Sequence, residues 1–397
     1  MGLEPLRIRL RVVGAGQALV TILVCGALFL SQMNLASARQ FRSEKADFEI
    51  ETITGGLLHP WGLAFLPDGR MLVTERGGKL RVVAPDAPKG ERLSRPIKGV
   101  TLVAVRGQGG LLDVALDPDF ANNRLIYLSF AERRKSDRTG TAVVRAKLND
   151  ASTALLNSEV IFRQQPSAGG VGHYGSRLVF ADDGSLFVTT GDRFRHRSEA
   201  QNGANHLGKV IRVMPDGASP ADNPAAEGMD WAPEVWSIGH RNLQGAALHP
   251  ETRALWTIEH GAQGGDEVNR PQKGRNYGWP IITYGRDYSG AKIGVGTHKE
   301  GLEQPIHYWD PSIAPSGMMF YTGDKFPNWQ GNLFVGALAG TALVRLELDG
   351  ENVVHEERLL EELGSRIRDV RQGPNGLIYL LDDSNGRVLR LRPKKGG

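Results

Sequence analysis

"VGHYGSRLVFADDGSLFVTTGDR", residues 171–193, decides how this chain is read. Its second half is an apolar run, an Asp-Asp-Gly turn and another apolar run. That order describes two antiparallel strands joined by a tight turn. The same unit recurs along the chain. "WGLAFLPDGRMLVTERGGKLRVV" starts at Trp61, "GLLDVALDPDFANNRLIYLSF" at Gly110 and "LQGAALHPETRALWTIEHG" at Leu243. "SGMMFYTGDKFPNWQGNLFVGALAG" starts at Ser316 and "RDVRQGPNGLIYLLDDSNGRVLRL" at Arg368. Several units run on into a third strand with apolar–Arg alternation, such as "KLRVV" and "ALVRLEL".

Six units at intervals of roughly 45–70 residues predict an all-β, six-bladed β-propeller with four-stranded antiparallel blades. One such unit cannot bury both of its faces, whereas radial packing buries them and leaves only short edges. A β-sandwich or two separate β domains ranks below this, because the unit recurs to the C-terminus without a linker break. "ADFEIETIT", residues 46–54, is expected to close the ring against the last blade. The composition agrees: 50 Gly and 21 Pro in 397 residues, with no long amphipathic helix pattern.

Residues 1–38 read as a signal peptide and residues 39–397 as a single propeller domain. Arg7, Arg9 and Arg11 form a positive n-region, residues 18–30 an apolar core, and Ala36-Ser37-Ala38 a cleavage site. The alternative is an uncleaved anchor, which would be the chain's only link to a membrane; the apolar stretch is short for a span. The single Cys, Cys25, lies in that core, so the mature chain has no disulfides, zinc thiolates or thiol nucleophile. Cleavage removes three Arg and one Glu and takes the net charge from +4 to +2, too little to argue for nucleic acid. A periplasmic location is expected.

In a propeller, the residues just before each inner strand meet at one end of the channel. Those positions hold Gln108, His173, the run His240-Arg241-Asn242, and the pair Arg366 and Arg368. Guanidinium groups gathered at one mouth repel unless an anion sits there, and they bind carboxylates bidentately. Arg241, Arg366 and Arg368 therefore imply a ligand with several carboxylates or phosphates; the alternative is that Arg366 and Arg368 form an outward-facing surface ladder. The Gly-rich stretch "EHGAQGGDEVNRPQKGRNYGWP", residues 259–280, offers turn carbonyls and the carboxylates of Asp266 and Glu267, hard oxygen ligands suited to Ca²⁺, without EF-hand spacing. Gly170-Val-Gly172-His-Tyr-Gly175 matches G-x-G-x-x-G formally, but a strand follows it rather than a helix, so it is no dinucleotide site. No H-E-x-x-H, C-x-x-C or G-x-S-x-G occurs.

"HPWGLAFLPDG", "GQGGLLDVALDPDF", "GHYGSRLVF", "GHRNLQG", "EHGAQGGDEVN", "NYGWP" and "RIRDV" occur in this order over residues 57–393. In these motifs the chain resembles the soluble sugar dehydrogenases that use pyrroloquinoline quinone (PQQ), in the aldose sugar dehydrogenase branch of the glucose/sorbosone dehydrogenase family. The resemblance implies PQQ and Ca²⁺ at the channel mouth and oxidation of an aldose at C1 to the lactone. It implies His173 as general base, Arg241 and Asn242 beside the quinone carbonyl, and Gln108 near cofactor and substrate. It implies Arg366 and Arg368 on the PQQ carboxylates, the backbone carbonyls of Gly261 and Ala262 on the cofactor Ca²⁺, and Glu267 and Tyr277 at a second, structural Ca²⁺. The family often has Pro where Ala262 stands, and glucose-specific members carry a lysine where this chain has Ala339. The loop at residues 282–309 is expected to cover the mouth. A Ca²⁺-dependent propeller lactonase and a non-catalytic exported binding module remain as alternatives, and the sequence names neither the sugar nor the electron acceptor.

Overall fold

In the computed structural model the described residues are 39–394, so the expected signal peptide and its cleavage site lie outside them. Six antiparallel sheets follow one another along the chain. Their inner strands are Pro60–Phe65, Leu111–Leu116, Leu178–Phe180, Leu243–Leu248, Pro315–Phe320 and Ile367–Gln372. Four sheets have the expected four strands. Among the described residues the single α-helix is one turn, Phe120–Asn123, and no helix is long and apolar enough to cross a membrane.

The first and last blades depart from four strands for chemical reasons. In blade 1 the segment after Lys79–Val83 runs alongside it, with Ser94 N–H donating to Val82 O and Ile97 N–H to Leu80 O. Pro85, Pro88 and Pro96 remove donors and fix φ there, so this flank never becomes a regular strand. In blade 6 the N-terminal strand Phe48–Thr54 pairs with Arg387–Pro393, matching Ile50 to Leu391. The expected closing strand is thus present, and a short edge strand, Arg39–Phe41, extends the sheet to five.

Each gap between blades holds its own apolar cluster. Leu72 and Leu128 pack between blades 1 and 2, Val143 and Val188 between 2 and 3, and Phe187 and Leu255 between 3 and 4. Trp256 and Val335 pack between blades 4 and 5, Phe334 and Leu380 between 5 and 6, and Val73 and Leu381 between 6 and 1. The ring is closed because every blade face is buried against a neighbour.

The channel is plugged by charge. Arg177, just before the third inner strand and 1% exposed, lies 3.2 Å from Asp113 and 3.1 Å from Asp369. Its Nε donates to Gln244 O at 2.6 Å, its Nη2 to Arg368 O at 3.2 Å, and its guanidinium sits 4.3 Å over Trp61. One side chain therefore touches five residues from four other blades. Five of the inner strands carry a register shift near the channel mouth, at Pro60/Leu63, Leu111/Val114, Leu243/Gly245, Pro315/Met318 and Ile367/Asp369. Such bulges re-aim side chains at strand ends, here around the mouth.

Candidate active site

His173 sits where the chain turns into the third inner strand. Its φ is +52°, and Gly175 follows at +64°. A Cβ on Gly175 would lie 2.6 Å from Thr190 Cα, so only glycine lets the turn pack this closely on blade 3. This explains the glycines that flank the histidine. The Gln108 side chain accepts the His173 N–H at 2.8 Å, tying the loop before blade 2 to the loop before blade 3.

The imidazole is buried, and its Nδ1 lies 2.6 Å from Asp192 Oδ1. Asp192 also accepts the Trp279 Nε1–H at 2.8 Å and the Phe194 N–H at 2.7 Å. Burial pushes the His173 pKa down; the Asp192 hydrogen bond opposes this and the Arg241 charge adds to it. The ring is therefore neutral near pH 7, with Nδ1–H held by the carboxylate. Among the described residues none hydrogen-bonds Nε2, so that lone pair is available as a base.

Arg241 is buried beside this dyad, its guanidinium 5.2 Å over Trp279. Glu259 accepts the Arg241 N–H and the His240 Nδ1–H. Arg241 Nη1 donates to the carbonyls of His260 and Gly261. Asn242 Oδ1 accepts from Gly175 N–H and from Gln244 Nε2, both at 3.2 Å, while Gln244 Oε1 faces Arg368 Nη1 at 3.4 Å. This relay links the Arg241–Asn242 side of the mouth to the Arg368 side.

A cavity of about 470 Å³ opens at the mouth, lined in part by Gln108, Trp61, Arg76, Arg366, Arg368 and His260. Burial lowers the Arg368 pKa to about 10, and Arg177, Arg366 and Arg76 add to the crowding of positive charge. Among the described residues it is answered by Asp383, 3.9 Å from both Arg366 and Arg368. Burial holds the His260 pKa near 3, and His260 feels Arg241, His173 and Arg368 together. A second space of about 430 Å³ lies alongside, lined by Arg241, Ala262, Trp279, Phe194 and Tyr288. The last two belong to loops of blades 3 and 4, their rings 6.1 Å apart.

The donor set suits an anionic, carbonyl-bearing planar group. Arg241 Nε and Asn242 Nδ2 are buried donors with no acceptor among the described residues, and three guanidinium groups face the cavity. Arg366, which donates to Leu338 O, stands next to Ala339.

The metal expectations fare unevenly. The carbonyl of Gly261 accepts from Arg241, and Ala262 lines the neighbouring space. Asp266 is not free to bind a cation: it accepts from Gly261 N–H, Ser312 Oγ–H, Ile313 N–H and Ala314 N–H, bracing the turn. Glu267 shares Asn269 Nδ2 with Glu259, and burial with those neighbouring acids pushes its pKa up to about 8. Tyr277 stacks on His240 at 4.8 Å and turns its hydroxyl to Arg270 O, and no hydrogen bond joins it to Glu267. Sequence reasoning missed Asp192, Glu259, Gln244 and His260, none of which occupies the position just before an inner strand.

Residues 57–390 match the glucose/sorbosone dehydrogenase family model. The chain belongs to the glucose/sorbosone dehydrogenase family. It is 45% identical over 353 residues to the aldose sugar dehydrogenase YliI of Escherichia coli K12, covering 88% of this chain and 94% of that protein. The crystal structure of the soluble aldose sugar dehydrogenase of E. coli, in its apo form, superposes with a TM-score of 0.84 at 45% identity, covering 87% of this chain and all of that one. The PQQ-bound aldose sugar dehydrogenase of Streptomyces coelicolor superposes with a TM-score of 0.72 at 28% identity, covering 87% and 98%. Membership in this family supports sugar oxidation as the activity.

Proposed function

We propose that the protein oxidises aldoses at C1 to the lactone, with His173 as the base and with PQQ and Ca²⁺ held at the channel mouth. The observation that carries this reading is the buried His173–Asp192 dyad beside a cavity lined by three guanidinium groups. When bound, PQQ supplies the two-electron acceptor for the C1 hydride, and Ca²⁺ supplies a Lewis acid next to it. Arg366 and Arg368, aided by Arg76, neutralise the quinone carboxylates, and Arg241 with Asn242 offers donors to its carbonyl edge. Gly261 and Ala262 offer backbone oxygens to the cofactor ion, and Glu267 with Tyr277 is the proposed region of a structural one.

The chain's own residues handle the proton. His173 Nε2 takes the C1 hydroxyl proton, and Asp192 holds the ring in the Nδ1–H tautomer and steadies the imidazolium that forms. Gln108 and Trp279 keep the two halves of the dyad in position. The carboxylates that point into the channel, Asp113 and Asp369, are spent on Arg177 and Arg371, which disfavours a metal lactonase built on them. A periplasmic site of action fits the exported character of residues 1–38.

The test is reconstitution. Protein given PQQ and Ca²⁺ should bleach a redox dye when an aldose is added and release the lactone. Lactone opening without PQQ would favour hydrolysis, and neither activity would favour a binding module.

A further inference from the structure

Exposed apolar side chains cluster at the mouth end of the propeller. Leu102, in the loop before the second inner strand, is 94% exposed, and Val105 is 59% exposed. Val171 is 43% exposed, and its carbonyl accepts the Gln108 N–H, so the apolar rim continues from blade 2 to blade 3. Arg193 Nη2 donates to Gly170 O, carrying the rim on to half-exposed Phe194, which faces Tyr288.

A basic hairpin adjoins this rim. Strands Leu125–Arg133 and Thr139–Leu148 meet at a tip of sequence "RKSDR", residues 134–138. Leu111, first residue of the inner strand, pairs with Phe130, so the tip projects beyond the mouth. Ala104 N–H donates to Ala131 O, and Arg106 pairs with Asp137, fixing the apolar loop against the hairpin. Arg133, Lys135 and Arg138 are exposed, and among the described residues no carboxylate pairs with any of them.

We propose that this rim docks on an anionic membrane surface. Aliphatic and aromatic side chains beside unpaired cations are the composition of an interfacial anchor: apolar groups enter the headgroup boundary and cations meet anionic lipid. The shape favours lipid over an acidic protein. Leu102 stands almost clear of the fold on a projecting loop, and a convex apolar tip finds its complement in a deformable surface. The inference does not depend on which sugar is oxidised, nor on PQQ.

The test is co-sedimentation of the full chain with phosphatidylglycerol/phosphatidylcholine vesicles and with pure phosphatidylcholine vesicles. The anionic vesicles should bind more tightly, with affinity falling as salt rises. L102S/V105S and R133E/K135E/R138E should each weaken that binding about tenfold or more. Any contribution of residues 1–38 is common to all variants, so the differences report the rim. In a C25S/L102C chain labelled at position 102, an environment-sensitive dye should brighten on anionic vesicles. Unaltered binding in both multiple variants, or a dye that stays dark, would overturn the proposal. Loss in the charge variant alone would reduce the contact to charge attraction without the apolar rim, and a dimer that L102S/V105S dissociates would assign the patch to a second copy; either also overturns it.

Discussion

His173 Nδ1 stands 2.6 Å from Asp192 Oδ1, and the indole of Trp279 donates to the other oxygen of the same carboxylate at 2.8 Å. The base, its partner and the partner's anchor come from two blades, so the ring closure sets their alignment. Replacing His173 by Ala should lower kcat by about 10²-fold or more with PQQ still bound. Asp192→Asn should cost a comparable factor, because the amide favours the wrong tautomer. Single-turnover sugar oxidation by PQQ-loaded variants checks both.

Trp279→Phe keeps a ring against Arg241 and removes the donor to Asp192. The carboxylate then holds the His173 proton more tightly, raising the histidine pKa. The acid limb of the kcat profile should move to higher pH, with kcat down by roughly tenfold and KM little changed. A purely structural role would leave the limb where it is.

The cations at the mouth should govern cofactor uptake. Arg366→Gln should weaken PQQ binding by about tenfold or more, read by equilibrium titration without substrate. Ala339→Lys, adding a cation beside Arg366 at an exposed position, should strengthen it. If neither variant shifts the titration, the carboxylates bind elsewhere.

Arg177→Met leaves Asp113 and Asp369 buried, each with one guanidinium partner fewer. It should lower stability by about 3–5 kcal/mol, read from denaturant unfolding.

Stability should also fall with acid below neutral pH. Burial depresses the pKa of His260 from 6.5 to about 3, and that of His173 in the same direction. Below pH 6.5 the unfolded chain binds protons that the folded one refuses, so stability is full above that pH and declines as pH falls toward 3. His260→Asn should flatten this decline, measured as Tm against pH.

The architecture was legible because each blade repeats a period-two apolar pattern around a Pro, Asp or Gly turn, and because the N-terminal run at residues 46–54 had no partner of its own. His173, Arg241 and Arg368 were legible because they stand just before or within inner strands, where propeller geometry converges. Asp192 was not: it follows the second strand of its blade, and it meets His173 only because Gly175 lets the backbone fold back on Thr190. Glu259 and Gln244 looked like ordinary strand residues. Asp266 looked like a metal ligand because sequence cannot tell a carboxylate facing a cation from one facing four donors. Blade 1 lost its fourth strand to prolines whose local cost the repeat pattern conceals.

The most direct measurement is stopped-flow absorbance of the PQQ- and Ca²⁺-loaded protein mixed with glucose or with glucose deuterated at C1. The account predicts rapid quinone reduction, slowed several-fold by deuterium, and nearly abolished in a His173→Asn variant that retains the cofactor. Equal reduction rates in that variant, or no bleaching of the quinone by any aldose, would contradict it.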